Sequence, residues 1–186
     1  MAGKRRPLFG SMAPFDEAVA SYPALKGLDV GVVNTPIPGD FRKLEFWPPA
    51  EPGDAQYPRP QGLPIGKPGV QVISPDTTPN DIAGDVVSHY LVNQDKSLNS
   101  MYRQFLSSFG TPQASARLKE DYQYSKQNEG ETRPFNDWFT TTRAPDYFRG
   151  YVFKQWPEKS YSEMYSPEQR AILDQMSAYL SHTRGR

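Results

Sequence analysis

GVQVISPDTTPNDIAGDVVSHYLVNQDKSLNSMYRQFLSSFG, residues Gly69–Gly110, carries a strand, a signed helix start and a second helix in one run. Val70–Ser74 (VQVIS) is rich in β-branched residues and reads as a strand. Thr78-Pro79-Asn80-Asp81 follows: a hydroxyl at the N-cap, proline at the first helical position and an acid three residues after the cap, the form of a capping box. Ile82, Ala83, Val86, Val87, Tyr90 and Leu91 then recur at helical offsets and make one apolar face, with Asp85, Ser88 and His89 beside or opposite it. The spacing predicts a lapse near Asn93–Asp95 and a second helix from about Ser97. That helix buries Leu98, Met101, Tyr102, Phe105, Leu106 and Phe109 and stops at Gly110. The stretch reads as the junction on which the two halves of the domain meet.

Toward the N-terminus, residues 1–13 read as a basic tail. Pro14–Tyr22 is a short helix with Phe15, Ala18, Val19 and Tyr22 at helical spacing, and Pro23 ends it. Asp29–Val33 (DVGVV) is a strand. Phe41–Trp47 (FRKLEFW) is another, whose impure alternation suits an edge or a bulge. Pro48–Pro68 (PPAEPGDAQYPRPQGLPIGKP) denies backbone donors and favours extended conformations, so it reads as a strap across the surface or onto a partner. Toward the C-terminus, Thr111-Pro112 opens a polar helix reaching Asn128, with Ala114, Leu118 and Tyr122 as its apolar line. Short aromatic helices follow at Pro134–Thr141 and Pro145–Gln155. Ser166-Pro167-Glu168-Gln169 signs a last helix with Ile172, Leu173, Met176, Tyr179 and Leu180 inward. Strands come first and helices after them. That order predicts an α+β fold: a small N-terminal sheet of about three strands, a mainly helical C-terminal half, and Pro-rich extended segments, all within a single domain over residues 14–182, with 183–186 as a basic tail.

The 186 residues hold three Trp, ten Phe and eleven Tyr, enough aromatic area for a real core, and 19 prolines, about twice ordinary usage. Lys plus Arg and Asp plus Glu both number 21, so the whole chain offers no basic field to phosphates. The local exceptions, Lys4, Arg5 and Arg6 at one end and Arg184 and Arg186 at the other, are the contact a small nucleic-acid-binding module would use. The absence of cysteine excludes disulfides, thiolate metal sites and thiol nucleophiles. No apolar segment follows the basic N-terminus and nothing approaches membrane-span length, so the expectation is a soluble chain without a signal peptide, made in the cytoplasm.

Asp85 and His89 stand four apart, the interval at which a helix offers two ligands to one metal ion. They lie on a helix that follows a strand, in partial resemblance to the zinc peptidases of the HExxH class. In that motif two histidines hold zinc and the glutamate after the first activates water. Here Asp85 stands in the place of the first histidine and Val86 in the place of the glutamate; valine takes no proton. A zinc-dependent, degenerate hydrolase would need a carboxylate third ligand, and Asp146, Glu158 and Glu163 are the candidates. The plainer reading has no cofactor and pairs His89 with Asp85 on the helix surface. Gly-rich phosphate loops and GxSxG elbows are absent from the sequence. The helical spacing of Phe135, Trp138 and Phe139, and of Tyr147, Phe148 and Tyr151, suits core packing. Tyr161 and Tyr165 lie in the polar KSYSEMYSPEQ and join Tyr57, Pro58, Arg59 and Pro60 of the strap as interface candidates.

Three segments, TPIPGDFRKLEFWPP (35–49), TPNDIAGDVVSHYL (78–91) and DYFRGYVFKQW (146–156), resemble in style the degenerate peptidase-like domains of large bacteriophage internal proteins. The likeness covers about half of the chain. It implies a non-enzymatic structural or ejected virion component, located in the particle after synthesis in the host cytoplasm. Such a component would work through contacts with other virion proteins or copies of itself.

Overall fold

Three strands, β1 (Gly31–Asn34), β2 (Leu44–Trp47) and β3 (Gly69–Val72), form one sheet in the order β1-β3-β2. β1 runs parallel to β3 with Gly31 opposite Gly69, and β2 runs antiparallel to it with Trp47 opposite Gly69. The computed structural model describes residues 13–35, 37, 42–50 and 59–182. Within it the chain divides into two compact units, Met1–Tyr90 with Leu180–Arg186, and Leu91–Tyr179. The α+β class is as predicted: the sheet lies in the first unit and the second is helical.

The strands are shorter than the hydrophobic runs. β3 stops at Val72, where a strand to Ser74 is predicted, because the next two amides leave the ladder. Ile73 N–H and Ser74 N–H both donate to the Lys43 carbonyl at 2.9 Å. The same two-on-one pairing stops β2 at Leu44. β3 is buried along its whole length, as its central place requires.

In the first unit, α1 (Ala13–Ser21) packs against α2 (Pro79–Val86), and α2 also lies on β2 and β3. The capping box at Thr78 is formed: Asp81 Oδ2 accepts from Thr78 N–H and from Thr78 Oγ1, each at 2.8 Å, while Asp81 N–H donates to Thr78 Oγ1 at 3.2 Å. Lys43 Nζ adds an ion pair to the same oxygen at 3.1 Å. Asp81→Ala therefore removes half of the capping box together with the Lys43 pair, and is expected to cost about 1 kcal/mol. Urea unfolding checks this, with Asp81→Asn, which keeps an acceptor for the amide, recovering most of the loss.

Beyond α2 the helical path continues through a π-turn (Val87–Leu91) into α3 (Val92–Gln94). Every residue from Asp81 to Ser88 is buried. The amphipathic reading is thus corrected: α2 is covered on nearly all sides, so Asp85 and Ser88 are not on a solvated face.

The second unit begins its long helices with local caps. Asp95 accepts from Ser97 N–H and Leu98 N–H to start α4 (Lys96–Ser107), and Thr111 caps α5 (Pro112–Asn128). Leu98, Tyr102, Phe105 and Phe109 are buried as expected. The two aromatic helices are one helical run: α6 (Phe135–Trp138), a π-turn (Phe139–Arg143) and α7 (Ala144–Val152). Proline inside a helix clashes with the carbonyl four residues back. For Pro145 that carbonyl belongs to Thr141, inside the wider π-turn, so the helix passes through without a break. It ends at Val152, not Gln155, because Lys154 adopts a left-handed conformation (φ 52°). α8 (Tyr161–Met164) and α9 (Pro167–His182) follow. The box at α9 is also formed, with Ser166 N–H donating to Gln169 Oε1 at 2.9 Å and Gln169 N–H to Ser166 Oγ at 3.1 Å.

Candidate interaction site

The metal reading of Asp85 and His89 meets three facts. Asp85 is only 4% exposed. His89 lies within the π-turn (Val87–Leu91), where the backbone is wound more widely than the regular helix that the i,i+4 spacing assumes. His89 is half-buried and stacked on Phe46 of β2, ring centroids 5.5 Å apart and planes 19° apart. Asp85 and His89 belong to the first unit, while Asp146, Glu158 and Glu163 belong to the second. Among the described residues no group of three His, Asp or Glu side chains comes together to hold a metal ion.

Burial holds the His89 imidazole below its ordinary value. The unfolded chain therefore takes up the proton first, and stability is lost as pH falls below about 6.5 toward the lower folded value. The expected result is a lower unfolding temperature at pH 5 than at pH 7, with the difference reduced in His89→Gln. A pH dependence unchanged by that substitution would contradict the assignment.

The strap is fastened rather than loose at its described ends. Arg59 Nη1 donates to the Pro48 carbonyl and Nη2 to the Lys67 carbonyl, both at 2.7 Å, and Gly66 N–H donates to the Ala50 carbonyl at 2.9 Å. Lys67 pairs with Asp29, and Gly31 N–H donates to the Pro68 carbonyl at 3.0 Å. Between these ties, Leu63 and Pro64 lie over the paired glycines of the sheet. A Cβ on Gly31 would stand 2.5 Å from Pro64 Cδ, and one on Gly69 2.8 Å from Leu63 Cδ2. Two side-chain-free positions in register make the flat seat that this turn needs. Leu63 points in (7% exposed), and Ile65 points out (61% exposed). The sequence reading missed this seat, although glycine inside a strand is the signal for close approach. Of the strap's interface candidates, Arg59 is used in fastening it, Pro60 is half-buried, and Tyr57 and Pro58 lie outside the described residues. Lys4, Arg5, Arg6, Arg184 and Arg186 lie outside them too.

Of the two C-terminal tyrosines, Tyr165 is not at a surface: it is 2% exposed and donates to the Tyr147 carbonyl at 2.7 Å. Its ring meets those of Tyr147, Tyr151 and Tyr161, and burial raises its hydroxyl well above the ordinary value. KSYSEMYSPEQ looks polar, yet the turn into α9 carries the ring inward. Tyr161 is half-buried, its hydroxyl 3.1 Å from the carbonyls of both Gly150 and Trp156.

The polar centre of this unit is Asp121 Oδ2, which accepts from Arg143 Nε at 3.1 Å, Arg143 Nη2 at 2.7 Å and the Tyr147 hydroxyl at 3.1 Å. Burial is the largest single influence and works against the Arg143 charge, but the Asp121 hydrogen bonds together with the fields of Tyr147, Asp121 and Asp146 outweigh it and its affinity for the proton is raised. The Arg143 guanidinium also lies 4.9 Å from the centroid of the Tyr147 ring. Asp146 is held by Arg149, while burial lifts its carboxyl to about 6. These groups brace the π-turn against α5, a structural use.

No family model, curated protein or solved structure matches this chain. Among the described residues no helix is long and apolar enough to cross a membrane.

Proposed function

We propose that this is a non-enzymatic structural protein of a bacteriophage particle, acting through protein–protein contacts in which the Pro48–Pro68 strap is the contact surface. The observation that carries the contact role is Ile65, a large apolar side chain 61% exposed on a turn that is braced from beneath by Leu63, Pro64 and Arg59. A stiffened turn loses little conformational freedom when a partner covers it, which favours binding. The phage setting rests on the resemblance of the three segments quoted above.

The test is incorporation into particles. Ile65→Lys replaces an exposed side chain and is expected to leave folding within about 0.5 kcal/mol of wild type. The variant is expected to fall out of purified particles while the wild type remains at fixed copy number. Absence of the wild-type protein from particles sinks the phage setting, and normal incorporation of the variant sinks the strap as the contact.

A further inference from the structure

At the C-terminal end of α7 the helical unit opens into a cleft of about 470 Å³ lined by Tyr151, Lys154, Lys159, Tyr161, Arg170 and Asp174, among others. Its size suits a small molecule. The charges in it are unequally used. Lys154 pairs with Glu158 at 3.6 Å, but both side chains are largely exposed, so solvent screens that contact. Asp174 accepts from the Tyr151 hydroxyl at 2.9 Å. The Arg170 guanidinium forms no hydrogen bond or ion pair with another described residue, and its Nε is buried without a partner. The Nε is enclosed, so the terminal Nη groups, which have no acceptor among the described residues, are the donors left for a ligand. Lys159 likewise has no ion-pair partner among the described residues.

The backbone adds a second sign. Lys154 is the one non-glycine residue with positive φ (52°) among those described. Glycine adopts this conformation at no steric cost, so a helix stop alone does not call for lysine there. Strained residues of this kind cluster at binding sites. The position places an ammonium in the lining of the same cleft as the Arg170 guanidinium.

We propose that this cleft binds the phosphate group of a small molecule, with Arg170, Lys154 and Lys159 as its cationic partners and the Tyr151–Tyr161 pair as the wall beside it. A phosphate dianion can engage more than one of the three cations that line this cleft, and guanidinium engages phosphate oxygens through paired donors. The tyrosine rings, centroids 4.6 Å apart, give the ester's organic part an apolar surface.

The full chain is titrated with inorganic phosphate and, separately, with phenyl phosphate, against chloride at equal ionic strength, following amide NMR shifts. Saturable shifts confined to Lys154–Lys159 and Arg170 are expected. Arg170→Met, which keeps the packing stem, and Lys159→Ala are each expected to weaken binding at least tenfold. Lys154→Gly separates cap from ligand: it is expected to unfold at the wild-type temperature or above while binding phosphate less well. Tighter binding of phenyl phosphate than of inorganic phosphate assigns an ester; equal binding assigns free phosphate. Shifts that do not saturate, or wild-type affinity in both Lys154→Gly and Lys159→Ala, overturn the proposal, and those two variants decide it if Arg170→Met does not fold.

Discussion

Gly31→Val lifts Pro64 off the sheet and frees the strap. The new Cβ would stand 2.5 Å from Pro64 Cδ and 2.9 Å from Cγ, distances no real Cβ contact tolerates. The pyrrolidine ring is closed on its own backbone, so it cannot swing aside as the end of a long side chain can. Either β1 moves away from β3 or the turn carrying Leu63 and Pro64 comes off. Overpacking of this kind costs about 1–3 kcal/mol, and losing the burial of Leu63 adds about 1.5–3 kcal/mol. Lifting the turn breaks fewer hydrogen bonds than parting a parallel strand pair, so the strap is the part that yields. The expected readout is faster proteolytic cleavage within residues 48–68 together with a lower urea midpoint. Gly69→Ala is the control: its Cβ meets the flexible Leu63 Cδ2 at 2.8 Å, and a rotamer change relieves it at smaller cost. Wild-type cleavage and midpoint in Gly31→Val would show that the strap is not seated on the glycine pair.

Asp121→Ala is the second large effect. The substitution strips three hydrogen bonds from one oxygen and leaves the Arg143 guanidinium beside the Tyr147 ring with no counter-charge at that position. Breaking a fully buried pair costs about 3–5 kcal/mol; here both side chains are roughly a quarter exposed, so solvent returns part of that and about 2–3 kcal/mol is expected. Because Arg143 closes the π-turn, the loss should fall on the α6–α7 run. Amide hydrogen exchange is then accelerated at residues 139–148 more than in α4. Asp121→Asn, which keeps an acceptor, should lose less. If Arg143→Met restores stability to Asp121→Ala, the cost is that of an uncompensated charge; if it does not, lost bracing is the cause.

The sequence by itself determined the helix starts and the fold class. Thr78 with Asp81, Thr111 with Ala114, and Ser166 with Gln169 are contacts between residues three apart, so they are written in order along the chain and form as read. The same holds for the stripe Leu98, Tyr102, Phe105 and Phe109, because a helix repeats its faces at a fixed interval. Partners far along the chain decided the rest. Asp85 looks like a surface acid until α1 and the sheet cover α2, and the stack of His89 on Phe46 exists only because β2 brings that ring beside it. Tyr165 looks like an interface residue until the turn into α9 buries it against Tyr147, eighteen residues away. Pro145 looks like a helix break until the π-turn before it makes room. The strap's seat needs Gly31, Gly69 and Pro64 at one point, and only strand pairing puts them there. A cap needs one turn of backbone to specify it, whereas a seat, a stack or a cleft needs the register of elements that meet only after the chain has folded.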